Sequence, residues 1–346
     1  MKKTLLILPF LNLQFGCVPS SSTNERTLDK IAPVRWSAAT SAGNQNSDGN
    51  QTYWIEQFED PNLNQAVRKA WISNPNLLAM AERVLASGED VVVAGASLFP
   101  SAKADLSGSR SKRNLIGFNF PSGETSFTSE SFNSGINLSW ELDLWGKVKD
   151  YRNSARTRFK GTQAEYEAAR LSLAGQIAKA WFETIESEGQ LRIARHTSAT
   201  YSQNQAFIQD RFEKGLASAL DNDLAKATLS SGKASLARRN RTHQVIIRKL
   251  KLLLGEYPAG IIDHNHSGEL PRLSSASIPP SPTEALERRP DLKASRLEVE
   301  AIGLDVGISR KNLLPSLSIV GGPGSRSGEF ENLLDQKFRI SEQRLV

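Results

Sequence analysis

The residues best placed to do chemistry are few. Asp263-His264-Asn265-His266 sets two imidazoles and a carboxylate within four positions, a composition that suits a transition metal. The tract lies in a proline-punctuated stretch between Pro258 and Pro282, so it reads as a solvated loop rather than a metal centre. Gly321-Gly322-Pro323-Gly324 follows an alternating run, but neither a lysine nor a helix start comes after it, and a phosphate loop needs both. No Ser/His/Asp set is locally marked. The many carboxylates stand beside Lys and Arg at helical spacing, as solvated charge pairs do. The expectation is a chain that is not an enzyme and holds no metal and no cofactor.

One residue does point to a covalent step. Cys17 is the single cysteine in 346 residues. It follows Lys2-Lys3, an apolar stretch from Leu5 to Leu13 broken by Pro9 and Asn12, and the small residue Gly16. Residues 1–17 therefore read as a lipoprotein-type signal peptide, with Cys17 as the lipidated first residue after cleavage. Gln14 departs from that pattern, which usually has Leu three places before the cysteine, and Val18 lacks the aspartate that marks inner-membrane retention. A lone cysteine forms no internal disulfide and no thiolate zinc site. Residues 18–52, rich in Ser, Thr, Asn and Ala, are expected to be an extended lead segment.

The bulk composition narrows the class. Lys and Arg number 43 against 37 Asp and Glu, a net charge of +6 spread along the chain, and no nucleic-acid partner is expected from it. No run of 18 apolar residues exists, so no spanning helix is expected. A membrane β-barrel stays open, because its strands alternate and average to a polar composition.

The elements that would position these residues repeat. Ala70–Ser101 and Ala285–Ser316 align without a gap at an offset of 215, with Pro75/Pro290, Leu77/Leu292, Gly88/Gly303, Asp90/Asp305 and Pro100/Pro315 among the identities. Each copy reads as a helix opened by its first proline, with a helix-to-strand turn at Pro100 or Pro315. No proline lies between Pro121 and Pro258. Apolar residues recur there at helical spacing, and Gly215 followed by Ser218 and Asp221 supplies a stop and a new cap. The spacing predicts a helical hairpin with arms Gly146–Glu213 and Ala219–Leu254, its first arm about 100 Å long. Helices of that length belong to coiled coils or tubes of helices.

Ser131–Leu142 alternates, with Phe132, Ile136, Leu138, Trp140 and Leu142 on one face and Asn133, Asn137 and Glu141 on the other. Ser101–Ser111 is a weaker partner strand, and Leu314–Val320 begins a third. Alternation alone would suit a sandwich equally. The long helices and the secretion signal favour a barrel wall, with Trp140 and Trp145 as aromatics at the membrane interface.

These residues carry a resemblance. Trp54-Ile55-Glu56-Gln57-Phe58-Glu59-Asp60-Pro61, Asn74-Pro75-Asn76-Leu77, Ser139-Trp140-Glu141-Leu142-Asp143-Leu144-Trp145-Gly146, Arg211-Phe212-Glu213-Lys214-Gly215-Leu216-Ala217-Ser218-Ala219-Leu220-Asp221 and Glu287-Arg288-Arg289-Pro290-Asp291-Leu292 run in order along nearly the whole chain. Together they resemble the TolC family of outer-membrane efflux proteins, in its lipoprotein branch typified by OprM and NodT. The fold implied is mainly α with a few membrane β-strands: a TolC-like β-barrel plus long α-helical barrel hairpins, in a two-fold internal repeat. The resemblance implies a homotrimer in which each protomer gives four strands to a shared barrel in the outer membrane of a Gram-negative bacterium. It also implies outer-membrane lipid around the barrel, a periplasmic adaptor protein and an inner-membrane pump as partners, and passive conduction as the activity. By the same match Gly215, Leu216 and Ser218 are adaptor contacts at the periplasmic tip, with Asp221 as a cap. On this reading residues 53–257 form the first repeat, 258–282 a proline-rich linker and 283–346 a partial second repeat.

The chain departs from the family at its carboxyl end. The second copy holds its first helix and the start of a strand, while Gly321–Val346 is polar, weakly patterned and unlike the family's continuation. The expectation is three strands and one hairpin per chain, unpaired edges in lipid, and no sealed conducting tube from this chain alone. A periplasmic helical adaptor or scaffold is the competing reading. The 215-residue repeat and the Phe132–Leu142 alternation argue against it.

Overall fold

The computed structural model describes residues 54–114, 126–260, 281–335, 337 and 339–345. Two short helices come first, α1 (Pro61–Ser73) and α2 (Pro75–Ala96). A strand pair follows, β1 (Ser101–Asn114) and β2 (Ser126–Leu142). The long hairpin is α3 (Lys147–Glu213) and α4 (Ala219–Leu253). After it come α5 (Pro282–Glu287), α6 (Pro290–Lys311), β3 (Leu317–Ser327) and β4 (Arg339–Leu345).

Proline opens four of these helices, at the position where a missing N–H costs nothing. Asp60 and Asn74 cap the first two through their side-chain oxygens. The repeat holds in three dimensions: α2 and α6 are both 22 residues long and begin and end at the same offset of 215. Both stop four residues short of Pro100 and Pro315, so the prolines sit inside the turn and do not themselves end the helices.

The 67 residues of α3 form one uninterrupted helix of about 100 Å. α2 and α6 flank its first half, and α4 lies antiparallel to its second half. The core lies where α1, the middle of α3 and the end of α4 meet. Leu63, Val67 and Ala70 pack there against Leu173, Ile177, Trp181 and Leu250. Asn74 ties this junction together: it ends α1, caps α2, and donates through Nδ2 to the Leu253 carbonyl at 2.9 Å.

The four strands form one antiparallel sheet in the order β1-β2-β3-β4. This corrects the expectation of three strands. β4 pairs with β3 from Ile319/Leu345 to Ser325/Arg339. It escapes the sequence pattern because Arg339-Ile340-Ser341-Glu342-Gln343-Arg344-Leu345 has no apolar face to alternate with. β1 and β2 also run further than expected, to Asn114 and from Ser126, through polar residues held by backbone pairing and by Arg110–Glu130 at 3.2 Å.

Candidate functional site

The sheet separates two chemistries. The register places Ala102, Ala104 and Leu106 of β1 on one face with Phe132, Ile136, Leu138, Trp140 and Leu142 of β2, and with Leu317, Ile319 and Pro323 of β3. Leu106, Ile136, Leu138, Trp140 and Ile319 are exposed, forming one contiguous apolar patch. A patch of that kind marks a membrane or partner surface. From Phe132 to Leu142 it runs about 33 Å along the strand, or about 25 Å high at a usual barrel tilt, the height of a lipid-facing band. Beyond it the same face turns polar at Arg110, Lys112 and Glu130. The opposite face carries Lys103, Asp105, Ser107, Asn133, Asn137 and Arg326. A ladder crosses it: Arg326 donates to Asn133 Oδ1 at 2.6 Å, and Asn133 donates to Ser107 at 3.5 Å.

β4 does not continue the pattern. Its residues on the apolar side are Arg339, Ser341, Gln343 and Leu345, and on the polar side Ile340, Glu342 and Arg344. The glycine-rich tract Gly321–Gly324 lies inside β3 and makes no phosphate loop. A Cβ at Gly322 would stand 1.8 Å from the Ile136 carbonyl oxygen, and one at Gly321 2.7 Å from that of Glu342. Glycine is there because the neighbouring backbones approach closely.

The junction of sheet and helices is built around the two tryptophans. Trp140 donates through Nε1 to the Leu98 carbonyl at 3.1 Å, and Trp145 to the Pro315 carbonyl at 2.7 Å. Each therefore clasps one of the two repeat-related helix-to-strand turns, Pro100 and Pro315. Asp143 accepts from the Val148 and Lys149 amides, both at 2.9 Å, which supplies the opening turn of α3 with an anion. Gly146 takes φ +71°, and Lys311 of α6 reaches its carbonyl at 3.3 Å and Asp150 at 2.6 Å.

At the far end of α3 the turn is set by Gly215 at φ +74°. The Leu216 amide donates to the Arg211 carbonyl at 2.8 Å and the Gly215 amide to that of Phe212 at 2.9 Å, a Schellman stop. Three residues later Ser218 and Asp221 form a reciprocal capping box: the Asp221 amide donates to Ser218 Oγ and the Ser218 amide to Asp221 Oδ2, both at 3.1 Å. The Ser218 side chain, then its backbone amide, hold the Asp221 carboxyl below the usual carboxylate range. A lowered native pKa means that the box is fully formed above the ordinary value of about 3.9 and opens only as the pH falls through the lowered one. A carboxyl titration of Asp221 by NMR should therefore give a midpoint below the ordinary value, and an ordinary midpoint would contradict the box. Leu216 and Leu220 are exposed on either side of Ser218.

The structure thus joins Trp140 and Trp145 to the turns at Pro100 and Pro315, and gathers Gly215, Leu216, Ser218 and Asp221 into one tip. Cys17 and the tract Asp263–His266 lie outside the described residues, as do the signal and lead segments and most of the linker. Among the described residues no group of three or more His, Cys, Asp or Glu side chains is placed to hold a metal. The Asp143 cap carries no simple sequence signal, since it stands four residues before the first helical residue.

Residues 66–256 match the family described as outer membrane efflux protein, more than half of the sequence. The chain belongs to that family. Outer membrane protein OprJ of Pseudomonas aeruginosa is 27% identical over 324 residues, covering 93% of this chain and 67% of OprJ. The probable outer membrane lipoprotein SilC of Salmonella typhimurium is 26% identical, covering 96% of this chain and 70% of SilC. The crystal structure of the Campylobacter jejuni CmeC outer membrane channel superposes with a TM-score of 0.75 at 26% identity, over 89% of this chain and 65% of CmeC. This family member thus spans about two thirds of the length of the relatives that it matches. Its fold is TolC-like, with strands and long hairpin helices in the same arrangement.

Proposed function

We propose that the chain is a wall-forming subunit of an outer-membrane efflux channel. It conducts substrates passively, as a homotrimer, between an inner-membrane pump with its adaptor and the cell exterior. The reading carries no bond chemistry. One observation supports it above the rest: an exposed apolar band of membrane height, backed by a polar face, leads directly into a helix of about 100 Å. The two faces are the lipid side and the lumen side of a barrel wall. Trp140 and Trp145 mark the periplasmic interface, and the tip at Gly215, Leu216 and Ser218, capped by Asp221, meets the adaptor. Residues 53–257 act as the first repeat and 283–346 as part of the second. Cys17, lipidated, adds an anchor in the outer membrane.

α4 adds support for a tube. Its buried face meets α3 through Ala225, Gly232, Ile247 and Leu250. On the opposite face Leu220, Leu224, Ala227, Ser231 and Ala234 are exposed at alternating steps of four and three. A helix with two such faces needs a neighbour on each side.

A second reading rests on β4. Arg339, Ser341 and Gln343 stand on its apolar side, with Gln343 level with Leu138 in the middle of the band, so β4 breaks the lipid-facing pattern. A wall ending in that strand favours a family member that does not conduct. Planar-bilayer recording from the purified chain, together with its native mass, decides between the two. Trimer mass with conductance steps of an open tube supports the channel. A monomer that never conducts overturns it in favour of the second reading.

A further inference from the structure

β4 departs from the apolar face of the sheet in an ordered way. On that side it carries Arg339, Ser341, Gln343 and Leu345: a charge, a hydroxyl, an amide and an alkyl group, in steps of about 7 Å. All four are exposed, and Arg339 has no ion pair among the described residues. Arg344, on the opposite face, pairs with Glu342 at 2.5 Å. Beside β4 the sheet is hollow. A cavity of about 680 Å³ opens along Ser341, Gln343 and Leu345, within the ~300–1,000 Å³ usual for small-ligand sites. Leu138 and Trp140 of β2 line its other side, and Ile319 and Gly321 of β3 form its floor. A Cβ on Gly321 would stand 3.5 Å from Gln343 Cγ, so the bare backbone keeps the groove open there. The Trp140 N–H is engaged by the Leu98 carbonyl at 3.1 Å, and the indole offers the groove apolar ring alone.

We infer that this groove holds one chain of an acidic membrane lipid. The inference rests on the apolar face being the lipid side of the wall. Arg339 stands one step beyond Ser341, level with Leu106 and away from the Trp140 end. Its guanidinium meets the phosphate of the head through charge-assisted hydrogen bonds, and its long stem lets it reach the headgroup region. The Ser341 hydroxyl and the Gln343 amide come next and hydrogen-bond the ester carbonyls. The acyl chain then lies over Gly321 and ends beside Leu345 and the Trp140 ring. From Arg339 to Leu345 is about 20 Å along the strand, or about 15 Å in height at a usual barrel tilt, the depth of one leaflet. Charge selects an acidic lipid, because a zwitterionic head brings its own cation to the phosphate. Unspecific annular lipid does not account for three successive polar side chains on a lipid-facing strand, each of them costly there without a partner. A soluble phosphate would satisfy Arg339 and leave the groove empty.

The test uses the full chain extracted in a neutral maltoside detergent, and two lipids with brominated chains, phosphatidylglycerol and phosphatidylcholine. Bromine quenches tryptophan fluorescence at close contact, and Trp140 is the tryptophan that lines the groove. Phosphatidylglycerol should quench at about a fivefold lower mole fraction than phosphatidylcholine, and the advantage should shrink from about 50 to about 300 mM salt. Trp140→Phe should remove the selective part of the quenching. Arg339→Gln should bring the two lipids level, while Arg339→Lys keeps part of the difference. Gln343→Phe, which fills the groove, should lose the difference, with the circular dichroism of every variant unchanged. Inorganic phosphate in large excess should leave the quenching in place. Equal quenching by the two lipids overturns the inference. So does selective quenching that survives Trp140→Phe, Arg339→Gln or Gln343→Phe, and so does displacement by inorganic phosphate. Quenching by neither lipid removes the lipid-facing reading of the sheet as well. Planar-bilayer conductance of the same preparation reports on the channel separately. Conduction with equal quenching removes only the lipid site, and selective quenching without conduction removes only the channel.

Discussion

Trp181→Ala should cost about 3–5 kcal/mol, the range for emptying a large aromatic site in a packed core. The indole is almost wholly buried, at 1% exposure, in the cluster where α1, α3 and α4 meet. It also donates through Nε1 to Asp60 Oδ2 at 2.8 Å, while the other oxygen of Asp60 caps α1. The substitution thus opens a cavity and loosens a helix start together. Trp181→Phe keeps most of the packing and loses the hydrogen bond, so about 1–2 kcal/mol is expected. Urea unfolding of the detergent-extracted chain, followed by helical circular dichroism, gives both values. Equal losses for Ala and Phe would mean that the hydrogen bond, not the packing, carries the site.

Gly255→Ala should be nearly as damaging, through another route. Gly255 follows α4 at φ +72°, and its amide and that of Glu256 close a second Schellman stop on Leu252 and Lys251. A Cβ there would stand 2.2 Å from the Ser73 carbonyl oxygen and 2.7 Å from its carbon. Backbone cannot yield as a side-chain tip can, least of all beside Asn74, which caps α2 and grips the end of α4. Left-handed strain adds about 1–2 kcal/mol and the forced shift about 1–3 kcal/mol. Gly215→Ala is the matched control: φ is +74°, but nothing lies within 4 Å of the added Cβ. Only the strain of about 1–2 kcal/mol applies, and it is confined to the tip. A drop in urea midpoint for Gly255→Ala no larger than that for Gly215→Ala would refute the close-approach argument.

The two glycines show what a sequence can and cannot tell. Each stands at the end of a helical pattern, and at Gly215 the following Ser218 and Asp221 make the stop legible. The crowding at Gly255 comes from Ser73, far away in the chain, and no local pattern reports it. The hairpin arms were legible to within a residue, because the proline-free run and the Gly215–Ser218 punctuation are local signals. β2 was legible where one of its faces is apolar, and was missed from Ser126 to Glu130, where neither face is. β4 was missed for the same reason. The partners of Trp140 and Trp145 are carbonyls 42 and 170 residues away, and only the folded junction reveals them. Within the tip, Ser218 and Asp221 were readable because a capping box spans three residues.

The uninterrupted course of α3 has a mechanical consequence. Its first turn is fixed to the sheet end by Asp143 and Lys311, and its last turn carries the tip. A rigid rod held at one end is a lever. Over about 100 Å, each degree of tilt at the membrane end sweeps the tip sideways by about 1.7 Å, half the width of a side chain. Changes too small to disturb the clasps at Pro100 and Pro315 are thereby magnified where Gly215 turns the chain.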